Sequence, residues 1–143
     1  MSGKITLVLQ GRLTVTERSE IVRVLEQAYA ARKQGHMDSI LAVFDENAPF
    51  RAVGAAAPAV GRVEQKSAIQ QLVDAFELLD YKIHCMVIEG NRAAVHWHGK
   101  FRATATGKTA ETDLLDLIEV RDGRITSFHN FFDTALAARL MTP

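Results

Sequence analysis

Residues 112–133, TDLLDLIEVRDGRITSFHNFFD, decide how the rest of the chain is read. Two stretches of alternating apolar residues flank an Arg-Asp-Gly turn, which predicts a β-hairpin because successive side chains of a strand point to opposite faces. In the first arm Leu114, Asp116, Ile118 and Val120 share a face that is otherwise apolar. In the second arm Phe128, Asn130 and Phe132 do the same. An acid aimed the same way as Leu and Ile is either a buried, satisfied structural group or a working acid.

Upstream, Gly90-Asn91 closes another hairpin, between 81–89 and 92–106. With those two residues in the loop, Glu89 opposes Arg92, Met86 opposes Val95, Cys85 opposes His96 and His84 opposes Trp97. Opposed residues share a side of the sheet. The enclosed side is therefore expected to carry His84, Met86, Val95, Trp97 and Phe101, with Gly99 leaving room. Ile83, Cys85, Val87, His96 and His98 are expected on the outer side. A shift of one residue in register would exchange the two sets.

Before the hairpins the pattern is helical. Thr16 is the expected cap of a helix over 17–34, whose stripe is Ile21, Leu25, Ala28, Tyr29 and Arg32, with Gly35 as its stop. Asp38 opens a second, short helix, and 49–53 reads as a strand. A third helix is expected over 63–79, with Ile69, Leu72, Val73, Phe76 and Leu79 on one face. Residues 1–16 read as an arm or short strand ahead of a single domain, 17–143, which ends in a strand over 124–132 and a brief helical tail. Helices first and an antiparallel meander afterwards predict an α+β fold: a curved, mixed or antiparallel sheet with three N-terminal helices on its concave face.

Composition narrows the function. Basic and acidic residues number 17 each, so the net charge is zero. A nucleic-acid or membrane-surface binder would carry a basic excess. Zero net charge leaves little repulsion between copies, and a homodimer through the outer sheet face is expected. The single cysteine, Cys85, excludes an internal disulfide and a thiolate cluster. Cys85, His96 and His98 share a face, but with no fourth ligand and no standard spacing no metal is expected. The N-terminal KITLVLQGRL has a short apolar core and then Arg12, so neither a signal peptide nor a membrane span is expected and the cytoplasm is the default.

Three stretches, YAARKQGHMDSILAVFDENAPFRAVG, KSAIQQLV and LIEVRDGRITSFHNFFDTA, together resemble the nuclear-transport-factor-2-like superfamily and, within it, the ketosteroid-isomerase and SnoaL-like polyketide-cyclase branch. The resemblance implies a cone-shaped α+β domain, a deep pocket between sheet and helices, usually a dimer, and neither metal nor organic cofactor. In those isomerases a protonated aspartic acid ahead of the last hairpin turn donates to a developing oxyanion, and Asp116 occupies that position. Their general-base aspartate falls at Ala52, and their helix-one tyrosine falls next to Tyr29, at Ala28. The water-holding tyrosine and asparagine of the epoxide hydrolases fall on Phe50 and Ala52. Neither mechanism is carried over whole.

Fold alone does not fix activity, so the expectation rests on the cavity. Asp116 and His84 are the expected acid–base pair, with Tyr29, Phe50, Trp97, Phe101, Phe128 and Asn130 around a small hydrophobic ligand. Burial should raise the Asp116 pKa, and His84 is the one nearby base with a suitable intrinsic value. The expected function is a cofactor-independent isomerase or cyclase of a small carbonyl compound. The alternatives are a non-catalytic binding or assembly domain and a dehydratase built on a His-Asp pair.

Overall fold

A computed structural model describes residues 10–143, with side-chain surroundings described from residue 18 onward. Helix α1 runs Gln10–Gln34, α2 Met37–Ala42 and α3 Arg62–Ala75, with strand β1, Phe50–Ala52, between the last two. The meander follows as β2 (Phe76–Glu89), β3 (Arg92–Ala103), β4 (Thr109–Arg121) and β5 (Arg124–Phe131), and α4 (Thr134–Met141) closes the chain. The five strands form one curved, open, mixed sheet in the order β1-β5-β4-β3-β2. β1 runs parallel to β5, and every other pairing is antiparallel.

The deciding hairpin is formed as expected. Asp122 and Gly123 both take positive φ, 51° and 75°, the backbone that joins two right-twisted strands through a two-residue turn. Helices α1 and α3 pack on β2, α3 also touches β1, and α4 packs on β3. Val24, Leu25, Val95 and Ile125 at the centre are fully buried. No helix among the described residues is long and apolar enough to cross a membrane.

Several boundaries differ from the expectation. Helix α2 begins at Met37 behind His36, so Asp38 lies in its first turn rather than opening it, and β3 stops at Ala103 while β4 starts at Thr109. Thr16 lies inside α1 rather than capping it, so 10–15 is helical, while residues 1–9 lie outside the described residues. Helix α3 stops at Ala75, and Phe76 and Leu79 belong to β2 rather than to its stripe. Phe76 pairs with Ala103 and Leu78 with Phe101. Ladder bonds along a long neighbouring strand override the helical preference of Glu77, Leu78 and Leu79, as tertiary context does to propensity.

A buried polar clamp holds the loop before β1. Gln65 of α3 is fully buried, and its amide donates to the carbonyls of Asp45 (2.9 Å) and Ala48 (3.0 Å). Arg62, one turn earlier, donates to the carbonyls of Leu41 (3.2 Å) and Phe44 (3.1 Å), where α2 ends. Phe44 and Phe50 are thereby fixed as walls of the cavity described next.

Candidate active site

The sheet and helices enclose a cavity of about 140 Å³. That is close to the size of an engineered protein cavity of about 150 Å³ that takes up benzene. Its walls are apolar, including Phe44, Phe50, Ile69, Leu72, Phe101 and Phe128. Phe50 and Phe128 stack at 5.5 Å, brought together by the parallel pairing of β1 with β5. Among the described residues the polar members are few, chiefly Tyr29, Arg32, Trp97, Thr112, Asp116, Asn130 and Asp133.

Asp116 is 1% exposed and is not a lone acid. The Trp97 indole N–H donates to its Oδ2 at 2.8 Å, and the Tyr29 hydroxyl donates to the same oxygen. The Asn130 amide donates to Oδ1. Strand register explains the convergence: Asp116 lies opposite Asn130 on β5 and opposite Val95 on β3, two residues from Trp97. Tyr29 comes from α1, its ring 5.1 Å from the Trp97 ring and tilted edge-on. Gly99 makes room for the next aromatic, since a Cβ there would lie 2.6 Å from the Phe101 ring.

Burial pushes the Asp116 carboxyl up from its ordinary 3.8 to about 6, while the donors from Tyr29, Asn130 and Trp97 pull it back by favouring the charge. The rise is in the direction expected from the sequence, and at about 6 the carboxyl is mostly ionised at neutral pH, the form that accepts a proton. The Tyr29 hydroxyl is driven well above its usual value, first by burial and then by the adjacent Asp116, and stays protonated. A carboxylate offers about four lone-pair sites. Oδ2 uses two of them and Oδ1 uses one, so Oδ1 is the oxygen with room for an incoming proton.

His84 is not in the cavity. Ile83 pairs with Trp97 and Cys85 with His96, so His84 is the extra residue of a β-bulge and turns to the outer face with His96 and His98. The expected His84–Asp116 pair, and with it the dehydratase geometry, is not formed. The sequence does not announce the bulge, because Tyr81, Ile83, Cys85 and Val87 keep an apolar step of two through it.

Arg32 reads in the sequence only as part of a helix stripe, yet it lines the cavity. Its guanidinium donates to the Phe76 carbonyl at 2.6 Å, and no ion pair among the described residues includes it. Burial lowers its pKa to about 10, which leaves it charged at neutral pH. Asp133, by contrast, caps α4 by accepting from the Leu136 amide at 2.9 Å, as expected.

The sequence pattern of the SnoaL-like domain matches residues 25–128. The chain belongs to the SnoaL-like domain family. Solved structures share the fold of this SnoaL-like domain at low identity. A candidate isomerase from Bacillus subtilis is 18% identical with a TM-score of 0.78, over 87% of this chain and 94% of that one. A candidate polyketide cyclase from Xanthomonas campestris is 19% identical with a TM-score of 0.72, over 88% and 99%. An LEH-like epoxide hydrolase from M. tuberculosis is 18% identical with a TM-score of 0.69, over 86% and 90%. No curated protein is similar enough to the chain to add a relative.

Proposed function

We propose that this SnoaL-like domain is a cofactor-independent isomerase or cyclase that moves a proton next to the carbonyl of a small, largely apolar compound. The observation that carries this reading is a 1%-exposed carboxylate in an apolar cavity, poised near pH 6. A base is most effective when its pKa lies near the working pH. Asp116 Oδ1 takes the proton and returns it at another carbon. Arg32 offers a cation to the carbonyl oxygen as it becomes an enolate. The isomerase and cyclase candidates of the same fold support the class of reaction.

The test is deuterium exchange at the α-carbon of small cyclic and aryl ketones in D₂O, followed by NMR from pH 5 to 8. Exchange should rise through about pH 6 as Asp116 ionises. Tyr29→Phe removes one donor to the carboxylate, so the midpoint of that rise should move to higher pH. A midpoint that stays in place would take Tyr29 out of the network. Binding of ketones without any exchange above buffer would support a second reading, a non-catalytic binder. Ala52, half-buried opposite Asn130 where related isomerases place their base, favours that alternative.

Dimerisation through the outer face of the sheet belongs to the same proposal. Val87, Leu115 and Leu117 are 64%, 39% and 45% exposed there. Leu117→Lys is expected to yield a monomer in sedimentation equilibrium while the parent sediments as a dimer. Equal masses for the two would remove this interface.

A further inference from the structure

We propose that the outer face of the sheet holds one zinc-class divalent metal ion, bound by His84, His96, His98 and Asp113. The bulge creates the site. It turns His84 out of the cavity side and onto the face already occupied by His96 and His98, with the His84 and His96 rings 4.9 Å apart. Asp113 enters from β4, directly opposite His98. Three adjacent strands thus contribute one, two and one side chains to a single patch.

The donor atoms converge. His98 Nδ1 lies 2.7 Å and His84 Nε2 3.9 Å from Asp113 Oδ1, while His96 Nε2 lies 3.4 Å from Oδ2. The ligand atoms of His84, His98 and Asp113 all fall within 4.8 Å of one another. Around a tetrahedral zinc, donors at 2.0–2.1 Å stand about 3.4 Å apart. His96 stands outside the group formed by His84, His98 and Asp113, so its ring has to turn inward to become the fourth ligand. The Cys85 thiol on the neighbouring position is not needed.

A second feature points to the same use. The far nitrogen of His98, Nε2, lies 3.1 Å from Glu111 Oε1. A carboxylate on the outer nitrogen fixes the ring and leaves the inner nitrogen for a metal, the usual support of a metal-bound imidazole. Three imidazoles and one carboxylate suit zinc, nickel or copper and not the oxygen-seeking magnesium or calcium. The four side chains are 35–61% exposed in the single chain, and since they lie on the face proposed for dimerisation, the ion enters before two such faces dock.

Calorimetric titration of the full chain, free of any histidine tag, with zinc chloride tests the site. One zinc per chain is expected to bind with micromolar or tighter affinity. His84→Ala and His98→Ala should each weaken binding at least about tenfold, whereas His36→Ala, on the exposed turn before α2, should leave it unchanged. Cobalt should give the visible absorption of a tetrahedral ion in the parent and lose it in His98→Ala. Lack of saturation below millimolar zinc, or equal affinities in parent and both variants, would overturn the proposal. So would one zinc per two chains, because a single chain would then not complete the site.

Discussion

Replacing Asp116 with asparagine is expected to stop α-proton exchange and, at the same time, to make the protein more stable at neutral pH. The first effect follows from losing the base. Positioned general acid–base catalysis contributes about 10²–10⁴ in rate, so exchange should fall by about three orders of magnitude on every ketone that the parent accepts. The fold should persist. An asparagine oxygen at 116 still accepts from Tyr29 and Trp97, and its amide finds an acceptor when Asn130 turns its own amide over.

The second effect is a matter of proton linkage. The folded carboxyl titrates at about 6, above its ordinary 3.8. Below pH 3.8 it is protonated in both states and contributes no difference. Between the two values the unfolded chain ionises first, so stability falls as pH rises, by about 1.4 kcal/mol per pH unit. Above pH 6 the loss is constant at about 3 kcal/mol. Asparagine cannot ionise. Asp116→Asn should therefore match the parent near pH 4 and exceed it by about 2–3 kcal/mol at pH 7 in urea unfolding. A difference that does not change with pH would show that burial does not oppose ionisation there. An active Asp116→Asn would remove Asp116 from the chemistry whatever its stability.

Much of this site is legible in the sequence alone. Alternation puts Asp116, Asn130, Trp97 and Phe128 on one enclosed face, and they line the cavity together. The two-residue turns fix register only close to each turn, as far as Cys85 opposite His96 in one hairpin and Val120 opposite Ile125 in the other, and bulges shift it beyond. The shift after Val120 is what sets Asn130 opposite Asp116. What alternation misses is local. A bulge inserts one residue without any turn residue to announce it, so the strand N-terminal to it changes face, and His84 lies on the side opposite to the expected one. The charge state of Asp116 is also hidden. Burial follows from the pattern, but the three donors that favour its ionised form come from three separate elements, and only tertiary packing assembles them. Gln65 escapes sequence reading for a related reason, because a polar side chain on a helix looks solvated until the helix is docked. Arg32 falls on the apolar stripe, but nothing in the spacing marks it as a cavity cation.

Gln65 leads to the second large effect. Its amide is the described side-chain donor to the Ala48 carbonyl, and Ala48 itself is 2% exposed. The Asp45 carbonyl also accepts from the Ala48 amide at 3.0 Å, so it keeps a partner if Gln65 is lost. Gln65→Met preserves volume and apolar contact while deleting both hydrogen bonds. One buried carbonyl is then orphaned, at about 1–3 kcal/mol, and one further bond is lost, at about 1 kcal/mol. Methionine also removes the Gln65 Oε1, a buried acceptor without a partner, which offsets about 1 kcal/mol of that loss. The expected destabilisation is therefore about 2 kcal/mol, still a sizeable share of the roughly 5–15 kcal/mol that holds a domain folded. The consequence reaches the cavity, because the clamp holds residues 45–48, between Phe44 and Phe50. Ketone binding should weaken in Gln65→Met even under conditions where the variant is fully folded. Chemical denaturation that shows less than about 1 kcal/mol of loss, with binding intact, would mean that Phe44 and Phe50 are held by their own packing and that the buried amide is incidental.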